Sequence, residues 1–224
     1  MCFSATACLA TGAILVPTGI YTLVKAYRGN RSYLVLAAFP LIFGLQQIIE
    51  GGVWLGLEHK VEINIEIAAI VYLFIAYNVW PFLVPLAVFL VEKNTSQKLL
   101  FKVFSLIGLL FGTSLFVPLL IYPEWLSVTI AEDSILYQSL LIYDGIVSKT
   151  IVSIVYAIIV AIPLLFTTVK SLRFFGILVF MSVTISATFF AYAFISIWCF
   201  FAAILAAYIV YVVHIESQNK NFSN

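Results

Sequence analysis

The chain has 224 residues, of which 64% are hydrophobic and only 9% are charged. In an average soluble domain about a quarter of the residues are charged. With so few charged residues, this protein cannot be solvated by water alone, so most of its surface must contact the lipid bilayer. The formal net charge is +1 and Lys and Arg form no stripe, which excludes the basic surface that nucleic-acid binding requires.

Charged and turn residues divide the sequence into seven apolar segments, each long enough to cross ~30 Å of hydrocarbon as a helix. We therefore predict an all-α, polytopic membrane protein with one seven-helix domain over residues 1–215 and a polar tail over 216–224. The boundary between the last two segments, near 190–196, is the least well defined. The predicted spans are 5–26, 33–57, 67–91, 99–122, 150–169, 174–192 and 195–214.

The distribution of basic residues predicts how the chain crosses the membrane. With the N-terminus outside and the C-terminus in the cytoplasm, nine of the eleven Lys and Arg residues lie in cytoplasmic connections or the tail, leaving Lys60 and Lys149 outside. Basic residues that flank membrane helices are retained in the cytoplasm. The expected location is therefore a plasma membrane, with the tail on its cytoplasmic side.

The one long connection, over residues 123–149, shows neither the alternation of a strand nor the periodicity of an amphipathic helix. Connections of this length are usually functional or act as a lid. We expect an outer cap, with a local structure that the sequence does not specify.

Glu50 is the clearest ionisable residue within a predicted span. It lies about seven residues before the outer end of the second helix, roughly 10 Å below the boundary. Gln46 and Gln47 precede it by four and three positions and share its face of the helix, and Trp54 extends that face. A buried carboxyl is costly unless it is paired or hydrated, so this face is a candidate binding site. Packing between helices through hydrogen bonds is the alternative. Three nearby glycines allow close helix approach: Gly44, Gly51 and Gly52.

Other helices place polar or aromatic residues at a similar depth. In the third helix, Pro81 and Pro85 come just after this depth. Because proline has no backbone N–H, they leave the backbone carbonyls of Tyr77 and Pro81 without a helical hydrogen bond. Ser and Thr residues of the sixth helix reach the same layer, although they are common packing residues in membranes. With Gln46, Gln47 and Glu50, the candidate ligand-binding residues are Tyr72, Tyr77, Asn78, Trp80 and Trp198.

The three cysteines, Cys2, Cys8 and Cys199, all lie toward the outer end in this orientation. An oxidising compartment permits one disulfide, for example between Cys2 and Cys199, and leaves the third as a free thiol. Each could instead be a small buried hydrophobic residue. Cys2, Glu50 and Cys199 are the candidate catalytic residues, and Cys2 and Glu50 the candidate metal ligands.

Several functional classes lack their defining residues. The only histidines, His59 and His214, lie at opposite ends of the predicted bundle, which argues against a membrane zinc hydrolase. The seventh helix has no lysine in its apolar span for a retinal Schiff base. Phosphate-binding loops, dinucleotide fingerprints and nucleophile elbows are also absent from the sequence.

Four sequence blocks carry a resemblance to a known family: 1–7 (MCFSATA), 43–51 (FGLQQIIEG), 80–87 (WPFLVPLA) and 198–203 (WCFFAA). They resemble a bacterial family of membrane proteins described only as a domain of unknown function. The resemblance implies a seven-helix membrane fold and no established activity. That family often has histidines in the long outer connection and near the start of the sixth helix, and neither stretch has one here.

Three functional hypotheses follow. The leading one is that the protein binds or transports a small ligand or ion at an outward-facing pocket around Glu50, Cys2 and Cys199. The second is a membrane-embedded thiol-dependent or redox enzyme, and the third is a structural or assembly protein without a pocket. The sequence leaves open the ligand, any cofactor and the oligomeric state.

Overall fold

Seven helices that are long and apolar enough to cross a membrane are present in the described part of the chain, which confirms the predicted seven-helix fold. The computed structural model describes residues 4–131, 134–189 and 194–219. The protein is an integral membrane protein, while its direction across the bilayer stays a prediction. The candidate spans are Ala5–Arg28, Arg31–Leu57, Ile65–Val91, Thr95–Ile121, Lys149–Phe166, Lys170–Phe189 and Ser196–Glu216.

Two of the spans are composite. The second comprises a 3-10 turn (Arg31–Tyr33), α2 (Leu34–Ala37) and α3 (Phe39–Leu57). The third comprises α4 (Ile65–Leu73), a π-helix (Phe74–Val79) and α5 (Trp80–Val91). The other helices are α1 (Ala5–Arg28), α6 (Thr95–Ile121), α7 (Lys149–Phe166), α8 (Lys170–Phe189) and α9 (Phe194–Asn219).

Four of the helices begin at a side-chain cap. In each case a Ser or Asn side-chain oxygen accepts a hydrogen bond from a backbone N–H of the first turn, one of the groups that a helix start leaves without a partner. The caps are Ser4 on α1, Asn64 on α4, Asn94 on α6 and Ser148 on α7. These polar residues therefore determine where the spans begin.

Glycines allow the neighbouring helices to approach closely. A Cβ atom at Gly44 would lie 2.8 Å from the Val16 nitrogen, so α1 and α3 pack with their backbones nearly in contact. At Gly108 of α6 a Cβ atom would overlap the Pro81 carbonyl oxygen, and at Gly112 it would lie 2.5 Å from that of Tyr77. Small residues commonly mediate such contacts in membranes. The carbonyls that the prolines were predicted to free therefore face glycines.

A two-stranded antiparallel hairpin, β1 (Leu126–Ala131) and β2 (Ser134–Ser139), lies within the long connection and corrects the expectation that this segment has no strand pattern. Burial does not follow residue polarity along β2, since Ser134 and Ser139 are buried as well as Ile135 and Tyr137. The sequence of this strand therefore lacks the alternation of polar and apolar residues that would have predicted it. We call the end of the bundle that carries this hairpin the hairpin end, and the other the distal end.

At the distal end, Glu92 joins two connections between helices. Oε1 accepts from the backbone N–H groups of Lys93 at 2.8 Å and Asn94 at 3.0 Å, and also from the Thr168 hydroxyl. Oε2 accepts from the Thr167 hydroxyl and the Thr168 backbone N–H, both at 2.8 Å. We call these contacts the Glu92 network. They connect the turn after α5 to the turn before α8.

The Glu92 network stabilises the ionised carboxyl. Burial raises the pKa of Glu92, but the hydrogen bonds from Asn94, Thr168 and Thr167 outweigh it and lower the pKa from 4.5 to about 2. The carboxylate therefore contributes to stability above the pH at which an unfolded Glu ionises, and this contribution is lost as the pH falls toward 2.

Gly108→Ala tests the close packing of α6 on α5. We expect it to lower the free energy of unfolding by about 1–3 kcal/mol, because a backbone carbonyl occupies the space that the methyl group needs. Thermal unfolding in detergent measures the effect. Gly52→Ala is the matched control, since its Cβ would meet only the end of the Ile63 side chain at 3.2 Å. Equal melting temperatures for the two variants would contradict the proposed packing.

Glu92→Gln tests the network at the distal end. We expect the variant to lose about 1.5–3 kcal/mol of stability at neutral pH, the usual contribution of hydrogen bonds to a charged group. The difference in melting temperature between wild type and variant should be constant above pH 5 and shrink as the pH falls toward 2, because the wild-type carboxylate becomes protonated. A difference independent of pH over this range would show that ionised Glu92 does not stabilise the fold.

Candidate functional site

The helical spacing in α3 brings Gln46, Gln47 and Glu50 together, and all three side chains are fully buried. Glu50 Oε1 accepts a hydrogen bond of 2.6 Å from the Ser196 hydroxyl at the start of the last span. Glu50 Oε2 accepts one of 3.3 Å from Gln47 Nε2. The carboxyl thus links α3 to α9 near the hairpin end.

Gln46 connects this carboxyl face to two further helices. Its Nε2 donates to the Cys199 sulfur at 3.4 Å, and its Oε1 accepts from Trp80 Nε1 at 2.8 Å. The Trp80 ring also stacks on Phe43, with ring centroids 3.8 Å apart. These contacts join α3, α5 and α9 around one buried polar group, which we call the Glu50 cluster: Gln46, Gln47, Glu50, Trp80, Ser196 and Cys199.

No Lys, Arg or His side chain in the described ranges forms an ion pair with Glu50. Two ion pairs lie at the hairpin end instead: Lys60 with Glu58 at 2.7 Å, and Lys149, the first residue of α7, with Asp144 at 3.6 Å. Hydrogen-bond donors, and not a cationic side chain, therefore stabilise the Glu50 carboxyl. Such a group in a membrane span is expensive and usually functional.

Two tyrosines lie over the cluster at the hairpin end. The rings of Tyr72 in α4 and Tyr137 in β2 stack with centroids 4.7 Å apart. Both are electrostatic neighbours of Glu50 and Cys199, and neither hydroxyl forms a well-oriented hydrogen bond to a described residue. The hairpin therefore contributes a side chain to the layer that contains Glu50.

The π-helix determines which way the residues after Tyr72 face. In an α-helix Tyr77 would lie about 140° from Tyr72 around the axis, whereas π-helical i→i+5 bonding brings residues five apart closer to one face. Both tyrosines are buried. The Tyr77 hydroxyl is 3.0 Å from the Ser139 hydroxyl, which fastens the hairpin to this span.

A small cavity of about 40 Å³ lies on the distal side of the cluster, between α3, α5, α7, α8 and α9. Its walls are aromatic and aliphatic except for the Cys199 sulfur. It shares Trp80, Trp198 and Cys199 with the predicted pocket, but Gln47, Glu50 and Tyr77 do not line it. The residues that line it are Phe39, Phe43, Trp80, Val84, Tyr156, Val160, Leu164, Phe175, Val179, Trp198, Cys199 and Ala202.

The cysteines are in different chemical states. Cys8 is disulfide-bonded, and its sulfur lies 3.9 Å from Glu50 Oε2. Cys199 is a buried free thiol, so the suggested disulfide between Cys2 and Cys199 is wrong: the Cys199 sulfur contacts Gln46 instead. The predicted roles of Cys2 fall on a residue outside the described ranges.

The other predicted site residues are distributed over three surroundings. Tyr72 lies beside Glu50, while Tyr77 contacts the hairpin. Asn78 faces α6, where it accepts a hydrogen bond from Thr113 at 3.4 Å. Trp198 packs edge-on against Tyr156 of α7 at 5.2 Å, next to the cavity. Within the described residues, no group of three or more His, Cys, Asp or Glu side chains could hold a metal ion.

Three residues that contact or face Glu50 are not among the predicted binding residues: Cys8, Tyr137 and Ser196. Cys8 and Ser196 belong to the polar starts of their helices, so depth alone could have added them. Tyr137 lies in the connection between spans, and no periodicity in the sequence relates it to the bundle. Its position depends on the register of the hairpin.

A family model described as a family of unknown function (DUF6629) matches residues 1–223. No curated protein and no solved structure matches the chain. Nearly the whole chain is therefore typical of one family, and no relative of known activity supplies a role for the cluster.

Thiol labelling tests the burial of Cys199. Because this side chain is only 6% exposed, we expect a charged, membrane-impermeant maleimide to leave it unmodified in folded protein and to modify it after denaturation. Cys8 is fully buried as well as disulfide-bonded, so it should react only after both denaturation and reduction. Mass spectrometry of the peptides measures both. Rapid labelling of Cys199 in the folded protein would contradict the structure of the cluster.

Proposed function

Because the chain belongs to this family, whose function is unknown, we propose from the site itself that the protein binds a small ligand or ion at the Glu50 cluster. Binding and release at Glu50 would then be the chemical event that the protein performs in the membrane, as a transporter or as a sensor. The site brings α3 and α9 together, so occupancy can affect how these helices pack.

The observation that carries the proposal is the state of the Glu50 side chain. It is fully buried, accepts hydrogen bonds from Ser196 and Gln47, and forms no ion pair with a described Lys, Arg or His side chain. Ser196, Gln47 and Tyr72 are hydrogen-bond neighbours of the carboxyl, and the charge of the N-terminus acts on it. A full charge is still costly at this depth, so a proton or a bound cation suits the site. A species with positive charge is therefore the ligand that suits this site.

The predicted orientation forms part of the proposal. Nine of the eleven basic residues lie at the distal end or in the tail, which supports a cytoplasmic distal end and a bacterial inner membrane. Glu50 would then face the outside through the hairpin end. This supports an outward-facing site, on the side where an oxidising compartment allows the Cys8 disulfide.

Glu50→Gln tests ligand binding. The amide has nearly the same shape and removes the charge, so a role in packing alone predicts little change. A ligand that binds only the folded protein raises its stability, by about 2.7 kcal/mol at a concentration of 100 Kd. Above pH 5, where Glu92 stays ionised, we expect the wild-type melting temperature to depend on pH, or on Na⁺, K⁺ or NH₄⁺ at constant ionic strength, and Glu50→Gln to abolish this dependence.

Glu58→Gln is the matched control, since it makes the same change at the C-cap of the same helix, where the carboxyl pairs with Lys60 outside the cluster. We expect it to keep the wild-type dependence on pH and salt. If Glu50→Gln retained that dependence as well, Glu50 would be a packing residue and the proposed function would be wrong.

A further inference from the structure

Several buried polar atoms at the hairpin end have no well-oriented hydrogen-bond partner among the described residues. Buried polar groups in native proteins are nearly always paired, and those that are not usually contact ordered water or a ligand. The atoms are Trp54 Nε1, Tyr72 OH, Ser134 Oγ, Tyr137 OH and Ser186 Oγ. Their concentration at this end shows that the layer around the hairpin contains polar groups that the described residues do not satisfy.

The Tyr72 and Tyr137 hydroxyls are the two of these groups that have Glu50 as a neighbour. The Tyr72 hydroxyl is close enough to interact directly with the carboxyl and with the Cys199 sulfur, whereas no such contact is found for Tyr137 among the described residues. Tyr72 is 0% exposed and Tyr137 is 7% exposed, so bulk water does not satisfy their hydroxyls. Each has Glu50 and Cys199 as electrostatic neighbours, and their stacked rings bring the two side chains to the same side of the carboxyl. Burial raises the pKa of Tyr137, so its hydroxyl keeps its proton and remains a donor.

The chemistry around Glu50 narrows the choice of ligand. A metal cation needs several converging acceptor oxygens, but Ser196 and Gln47 direct donors at the carboxyl, and no metal-binding group of His, Cys, Asp and Glu occurs among the described residues. An anion would need a cationic partner. No described Lys, Arg or His side chain forms an ion pair with Glu50, and the N-terminal charge already acts on this carboxyl. Water, which accepts from a phenol and donates to a carboxylate, fits the remaining groups.

We propose that Tyr72 and Tyr137 bind ordered water against the Glu50 carboxyl, and that this water carries protons between Glu50 and the hairpin end. The inference rests on the proposed function and specifies that the ion of the site is the proton. In each transfer one O–H bond of the hydrated proton breaks while one forms on a Glu50 oxygen, and the reverse step restores the carboxylate. Neither step involves an oxidant or a reductant.

Protons reach Glu50 from the hairpin end and not from the distal end. Toward the distal end, the polar contacts of the cluster stop at Gln46, Trp80 and Cys199, and the cavity that follows has apolar walls. Such a cavity stays dry and does not conduct protons. Glu50 therefore exchanges its proton with the compartment at the hairpin end.

Tyr72→Phe and Tyr137→Phe test the proposal, because each removes one hydroxyl and keeps the stacked ring. If the hydroxyls have no partner, their removal should leave the melting temperature unchanged or raise it. If they bind water against Glu50, each variant should melt at a lower temperature. The Glu50-dependent part of the pH profile, wild type minus Glu50→Gln, should also shift along the pH axis by roughly one unit, as expected for one hydrogen bond.

Tyr77→Phe is the control, since its hydroxyl is paired with Ser139. It should lower the melting temperature without moving the Glu50-dependent pH profile.

If the Tyr72 and Tyr137 variants had the melting temperature and the Glu50-dependent pH profile of the wild type, the proposed water site would be wrong. The proposed function at Glu50 would not be affected. If the melting temperature depended on Na⁺, K⁺ or NH₄⁺ in the wild type but not in Glu50→Gln, the ion of the site would not be the proton. A wild-type profile identical to that of Glu50→Gln would instead refute the proposed function itself.

Discussion

The burial of one carboxyl group within the membrane span is the constraint on which the rest of this structure depends. Glu50 is fully buried among seven apolar helices, and hydrogen-bond donors from α3 and α9 surround it in place of a cationic side chain. The cost of a charge at this depth explains why amides, hydroxyls and a sulfur are concentrated here, while the cavity on the distal side is apolar. The positions of Gln46, Gln47 and Ser196 follow from this constraint.

The two buried carboxyls among the described residues are stabilised in different ways. Glu92 accepts five hydrogen bonds from two connections, which keep it ionised and hold the distal end together. Glu50 accepts two well-oriented hydrogen bonds from described donors and has the Tyr72 hydroxyl as a further neighbour. Neither the Tyr72 nor the Tyr137 hydroxyl has a well-oriented hydrogen-bond partner among the described residues. A fully paired carboxylate has a structural role, whereas one with few donors next to unpaired hydroxyls can change its protonation state. The distal end is therefore fixed, and the hairpin end is where exchange occurs.

Rigid packing keeps this exchange site in place. Gly108 and Gly112 let α6 contact the backbone of the π-helix and α5, and Gly44 does the same between α1 and α3. The π-helix turns Tyr77 toward the hairpin, where it contacts Ser139. The helices that carry Glu50 and Trp80 are thus packed backbone to backbone with their neighbours. Proton transfer in such a site moves protons and water, with little movement of the helices.

Local patterns in the sequence predicted the part of the site that lies within one helix. Gln46, Gln47 and Glu50 share a face because of helical spacing alone, and the depth of Cys199 followed from its position at a helix start. The hairpin did not follow, because polar and apolar residues are buried together along β2. The π-helix was missed because the sequence of Phe74–Val79 contains no proline or glycine that would mark it. Contacts such as Glu50 with Ser196 depend on tertiary packing.

The most direct measurement is the infrared difference spectrum of the purified protein between acidic and alkaline pH. A protonated carboxyl absorbs through its C=O stretch, and the band disappears when the group ionises. Proton exchange at Glu50 predicts a titrating carboxylic-acid band in the wild type that is missing from Glu50→Gln and shifts its titration midpoint in Tyr72→Phe. Identical difference spectra for wild type and Glu50→Gln would show that Glu50 does not exchange a proton, and would contradict this role.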